Sequence, residues 1–230
     1  MTLRTKSVFI AMVFAAAAAA QAQEPAAGAR QGGGRQGGAA RPAPPQPAPL
    51  FFKEAWKPGS AAVAATQAIV ANPDLQLSVY GKTPSQPEVN DEGGVAHVWT
   101  GLCSPACAVT LKHKASFADL TGKARIKWYA KTSGFHEIRP VVKLADGTYI
   151  AGNRGISTDG EFLLVEVVFA GMRWYKLDPV KVVVTSEVKN PDFSKVDEVG
   201  LVTLAPGGGH GVAGSANLST VELFARTVPR

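Results

Sequence analysis

Over much of the chain, apolar side chains recur at every second position in short runs, and clusters of Gly, Pro, Asn and Asp punctuate those runs. A period of two belongs to a strand with one covered face, because successive side chains of an extended backbone point to opposite sides. The pattern predicts strands over 96–102, 108–113, 124–131, 136–144, 149–151, 162–169, 180–184, 199–204 and 220–225. Only SAAVAATQAIVA, residues 60–71, reads as a helix, with Asn72 and Pro73 to end it. Many short strands and at most one short helix predict an all-β chain, an antiparallel β-sandwich.

The stretch RIKWYAKTSGFHEIRPVVK, residues 125–143, carries the most chemistry. Alternation places Ala124, Ile126, Trp128 and Ala130 on one face of the first run, and Arg125, Lys127, Tyr129 and Lys131 on the other. In the second run Ile138, Pro140, Val142 and Leu144 point inward, while Glu137, Arg139, Val141 and Lys143 point outward. A turn at Thr132, Ser133 and Gly134 would pair the two runs as a hairpin and join the outward sets into a basic strip around Tyr129. Such a strip suits a polysaccharide, with Arg and Lys donating to carboxylates, sulfates or hydroxyls and the tyrosine ring packing on a sugar face. It equally suits a solvated sheet face kept soluble by long cationic side chains.

Two loops add candidates. Residues 151–161 supply Asn153, Arg154, Asp159 and Glu161, and the Gly-rich segment 206–211 supplies His210. The expected ligand-binding set is therefore Arg125, Lys127, Tyr129, Arg139, Lys143, Arg154 and His210.

Composition divides the chain. Arg4 and Lys6, the apolar run from Val8 to Ala20 and the small residues around Ala22 read as a signal peptide over 1–22, cleaved after Ala22. Residues 23–49 are almost entirely Gly, Ala, Gln, Pro and Arg, a linker with nothing large to bury. Residues 50–230 are the size of one domain. The expected product is secreted or periplasmic, with no transmembrane segment once the leader is removed. Export argues against nucleic acid as the partner of Arg30, Arg35 and Arg41. The formal charge of +6 includes the two leader cations, so the balance is modest and favours acidic surfaces or glycans without deciding between them. Two cysteines, Cys103 and Cys107, sit in CSPAC, which in an oxidising compartment reads as a disulfide across a short turn.

The segments DLTG and DFSK, each an Asp, an apolar residue and a hydroxyl residue ahead of an alternating run, suggest equivalent positions in two parts of one sandwich. The order DLTGKARIKW, RPVVKLADGTY, RWYKLD, NPDFSKVDEVGLV and STVELFA resembles a galactose-binding-like jelly roll, the fold of many carbohydrate-binding modules. With LFFKEAW added, it is similar to a group of uncharacterised secreted bacterial proteins. The resemblance covers roughly 50–230 and implies glycan binding, an implication tempered by the many roles this sandwich serves.

No nucleophile elbow, zinc-protease helix or carboxylate ladder is found in the sequence. Glu166, which interrupts LLVEVVF, is expected to pair with Lys127 or Arg139. His97, His113, His136 and His210 show no ligand spacing, so no metal or cofactor is expected; a structural calcium held by loop oxygens has no supporting residues. The leading expectation is a non-catalytic module whose partner is a polysaccharide or oligosaccharide. The alternatives are a glycan-acting hydrolase or lyase, the latter drawing on Tyr129, His136 and Arg139, and an envelope structural or protein-interaction domain with an envelope protein as partner.

Overall fold

The computed structural model describes residues 46–58, 63–81, 88–92, 95–100, 103, 106–133, 136–158, 160–204 and 214–230. The expected signal peptide, most of the linker, His210 and Asp159 lie outside them. The strands are β1 (Leu50–Glu54), β2 (Val63–Ala64), β3 (Leu75–Tyr80), β4 (Glu88–Glu92), β5 (Val95–Trp99), β6 (Ala106–His113), β7 (Ser116–Asp119) and β8 (Arg125–Thr132). They continue as β9 (Ile138–Leu144), β10 (Tyr149–Gly152), β11 (Leu163–Val168), β12 (Trp174–Asp178), β13 (Val183–Val188), β14 (Val196–Leu204), β15 (Ala216–Phe224) and β16 (Arg226–Pro229).

These strands form two antiparallel sheets packed as a β-sandwich. The front sheet runs β11-β8-β15-β5-β4-β2, with β1 also on β15. The back sheet runs β13-β12-β10-β9-β14-β6-β3, with β7 on β14 and β16 on β7. Between the sheets Ile126, Trp128, Leu218, Val221 and Leu223 of the front pack with Leu111, Ile138, Val142, Val199 and Leu201 of the back. Burial alternates without exception along β8, so its inward residues are those the sequence pattern assigned.

A second apolar cluster explains why β14 is covered on both faces. Val141, Ala151 and Val202 alternate with core residues, so they lie on the outer face of the back sheet, where they cluster with Ala106 and Ala108 of β6, Leu177 of β12 and Val182 of the turn after it. Gly200 suits this central strand, because a Cβ there would collide with the Val109 carbonyl of β6.

The chain enters the domain through a buried anchor. Phe52 and Trp56 are in the core, and Trp56 Nε1 donates to the Leu218 carbonyl at 2.6 Å. Glu54 is buried too. Its carboxylate accepts the backbone N–H groups of Trp56 (2.8 Å), Ala71 (2.8 Å) and Asn72 (3.0 Å), which satisfies a charge that would otherwise be costly to bury.

The DLTG and DFSK segments do share a geometry. Asp119 Oδ1 accepts the Thr121 N–H and Asp192 Oδ1 the Ser194 N–H, both at 2.9 Å, and the two turns touch where Leu120 N–H donates to Phe193 O at 2.8 Å. One turn leads into β8 of the front sheet and the other into β14 of the back sheet.

Two expectations are corrected. Of the helix expected over 60–71, residues 60–62 lie outside the described residues, and the rest holds β2 and a single 3-10 turn, Gln67–Ile69; Val70 is already extended, and Glu54 takes the N–H groups of Ala71 and Asn72. The hairpin of 124–131 with 136–144 does not form. The connection crosses the sandwich, so β8 pairs with β11 and β15 while β9 pairs with β10 and β14.

The Cys103–Cys107 disulfide is formed. Among the described residues, no helix is long and apolar enough to cross a membrane.

Candidate functional site

The crossing between β8 and β9 divides the expected basic strip. Arg125, Lys127, Tyr129 and Lys131 lie on the outer face of the front sheet, whereas Arg139 and Lys143 lie on the outer face of the back sheet. The two sets therefore act on opposite sides of the molecule.

On the front face, Arg125, Lys127 and Tyr129 stand opposite Val168, Glu166 and Leu164 of β11, and opposite Phe224, Glu222 and Thr220 of β15. Phe162, just before β11, stacks on Tyr129 with ring centroids 5.3 Å apart. Lys131 Nζ lies 5.1 Å from the Phe162 ring centre and the Arg125 guanidinium 4.1 Å from that of Phe224. These contacts hold the cations over aromatic faces, so rings and donors alternate along the strand. Glu166 accepts ion pairs from Arg125 and Lys127, each at 3.4 Å. Of its two expected partners, Lys127 is found and Arg139 is not. Its side chain is 44% exposed because β11 is the edge strand of the front sheet. Leu164, on the same edge, is 67% exposed and extends the apolar surface beside Tyr129.

A cleft of about 520 Å³ continues this face at the Arg125 end, lined by Pro47, Gly122, Lys123, Arg125, Glu166, Val168 and Ala170. The face thus offers exposed apolar surface, ring planes and cationic donors in one line, the combination that a sugar chain, apolar above its ring and polar at its rim, requires.

The back face holds a polar network. Glu198 is buried and accepts from Thr110 Oγ1 (2.6 Å), Tyr80 Oη (2.9 Å), Lys143 Nζ (3.0 Å) and Tyr149 Oη (3.4 Å). Burial, and then hydrogen bonding to Tyr149, hold the Tyr80 hydroxyl above the usual phenol range, so it keeps its proton. Burial works against charge on Lys143, but the Glu198 hydrogen bond and attraction outweigh it and raise its pKa above the usual lysine range. Lys143 therefore completes a satisfied internal network instead of offering a free donor. Arg139 pairs with Glu137, just before its strand, at 3.5 Å.

No family model matches the chain. No curated protein matches it either. Its similarities are to solved structures. It resembles the family 11 carbohydrate-binding module from Clostridium thermocellum, in complex with a β-1,3-1,4-mixed-linked tetrasaccharide, at 10% identity and TM-score 0.44 over 77% of this chain and 97% of that one. It also resembles PfGH50B, at 10% identity and TM-score 0.40, and an exo-β-agarase, at 9% identity and TM-score 0.35. These likenesses cover 66% and 75% of this chain, which spans about a quarter of the length of each: 22% of PfGH50B and 25% of the agarase. At TM-scores this low, the reading of the site rests on the chain's own residues.

Arg154 lies apart from both sets, where its Nη2 donates to the Gly171 carbonyl at 3.4 Å. The lyase trio is not assembled, since Tyr129 and Arg139 lie on opposite outer faces. Phe162 and Phe224 belong to the front face and were not among the expected residues. Both were legible: the alternation of STVELFA puts Phe224 on the face opposite Val221 and Leu223, and that of the expected strand 162–169 puts Phe162 on the face of Leu164 and Glu166, although β11 itself begins at Leu163.

Proposed function

We propose that the chain is an exported carbohydrate-binding module that takes a polysaccharide along β8 on the outer face of the front sheet. The observation that carries this reading is the line of Phe224, Arg125, Tyr129, Phe162 and Lys131, each ring paired with a cation or another ring. Tyr129 and Phe162 supply the platform for a sugar face, and Arg125, Lys127 and Lys131 donate to ring hydroxyls or acidic substituents.

The test is electrophoresis through native gels containing a neutral glucan, a sulfated galactan or a polyuronate. The chain is expected to be retarded in at least one of them, and Tyr129→Ala is expected to restore free migration while leaving the melting temperature nearly unchanged. Free migration of the unaltered chain in all three gels would remove the reading.

A further inference from the structure

Among the described residues, β11 has β8 on one side and no strand on the other, so it is an open edge of the front sheet. Its six residues pair with β8 in unbroken register. Seven large apolar side chains are exposed among the described residues, and three of them stand on this one strand: Leu163 (50%), Leu164 and Val168 (42%). A bare apolar edge invites another strand, and sheet proteins guard their edges with charges, prolines or bulges. β13, an edge of the back sheet, is guarded in this way, with Thr185, Ser186 and Glu187 along it and Lys181 and Lys189 near its ends. β11 carries a single charge, Glu166, which Arg125 and Lys127 of β8 already hold.

The backbone of β11 is ready to pair. Phe169 N–H donates to the Ala124 carbonyl, in the register that sets Leu163 opposite Ala130. Hydrogen-bonded and open pairs alternate along an antiparallel ladder. Leu163, Val165 and Val167 therefore turn their N–H and C=O groups toward β8, and Leu164, Glu166 and Val168 turn theirs to the open side.

That open row fits a second copy of itself. A two-fold axis through Val165 sets Leu164 opposite the partner's Glu166 and Phe162 opposite the partner's Val168, so every outward backbone group of the strand meets one of the partner. An axis through Glu166 would set two carboxylates against each other, which is unfavourable. An axis through Leu164 would leave Val168 facing a glycine, Gly160 of the partner subunit. Only the axis through Val165 covers the exposed side chains and keeps like charges apart.

We propose that β11 pairs antiparallel with β11 of a second copy, so that the front sheet runs unbroken through a two-fold homodimer. Such an axis stands perpendicular to the sheet, and the two outer faces lie on the same side. Three strand spacings then separate the two β8 strands, about 14 Å. The inference goes beyond the front-face reading and does not depend on it; where that reading holds, the dimer offers a polysaccharide two lines of rings and cations on one surface.

The test is sedimentation equilibrium of the full chain, joined to cysteine linking. The unaltered chain is expected at twice the mass of one chain. Leu164→Lys is expected to raise the dimer dissociation constant by about tenfold or more while strand content by circular dichroism is unchanged, since an edge lysine opposes strand addition. Val165→Cys is expected to give a covalent dimer under mild oxidation, because opposed Cα atoms in an open antiparallel pair lie about 4.5 Å apart, within disulfide reach. Leu163→Cys is expected not to link, because its two copies would lie four residues apart along the strands, about 13 Å. A monomer at every concentration overturns the proposal, and so does a dimer that Leu164→Lys leaves intact or that Leu163→Cys links as readily as Val165→Cys. A monomer still retarded in the polysaccharide gels in a Tyr129-dependent way removes the dimer and leaves the front-face reading standing.

Discussion

Tyr129 and Phe162 stack with their ring planes 30° apart, although one belongs to the interior strand β8 and the other leads into the edge strand β11. Phe162 also meets His97 edge-on, with ring centroids 5.3 Å apart, and His97 is buried. The half-buried ring pair is therefore also held from the side by a residue of β5 on the same outer face. Pre-ordered rings lose little freedom when a ligand arrives.

Phe162→Ala should therefore lower polysaccharide affinity nearly as much as Tyr129→Ala, by roughly tenfold, and the double variant should lose less than the sum. A double-mutant cycle by titration calorimetry checks this. Additive losses would mean that the two rings act independently.

Glu54 answers three backbone N–H groups from a buried position, so Glu54→Ala should cost at least about 2 kcal/mol, the range for leaving buried donors unpaired. Urea unfolding measures this directly, and a loss below about 0.5 kcal/mol, the range for an ordinary surface change, would contradict the assigned role.

Asp197 makes stability depend on acid. Burial opposes its charge, but hydrogen bonds and attraction from Arg230 and Lys112 outweigh burial and hold its carboxyl below the usual carboxylate range. The folded state then binds fewer protons than the unfolded state. The contribution is present above the unfolded carboxyl value of about 3.9 and is lost as pH falls through the lower folded value. Asp197→Asn should lower the melting temperature at neutral pH and flatten its decline in acid, measured by scanning calorimetry between neutral and strongly acidic buffers.

The Cys103–Cys107 disulfide closes a short loop, with a sequence separation of 4. On the chain-entropy account it contributes about 2 kcal/mol. Cys103→Ala combined with Cys107→Ala should lower stability by about that amount in urea, with the fold retained.

Much of the architecture was legible in the alternation. The inward and outward assignments of β8 and β9 were right residue by residue, because period-two patterning reports which way a side chain points. The same pattern does not report which strand lies alongside. The connection through Ser133 could close a hairpin or cross to the other sheet, and the crossing separated Lys127 from Arg139. Short strands such as β7 and β12 give no clear signal, because a few residues carry little periodicity. The buried role of Glu54 had no local sign, since its partners are N–H groups of the loop around Trp56 and of the distant Ala71 and Asn72.

On the proposed reading the front sheet, not the back, carries the ligand. The most direct measurement compares the dissociation constants of the unaltered chain, Tyr129→Ala and Arg139→Ala for whichever of the three polysaccharides retards it. Tyr129→Ala is expected to lose about tenfold or more in affinity and Arg139→Ala to keep the unaltered value. An equal loss in both variants, or a loss confined to Arg139→Ala, would contradict it.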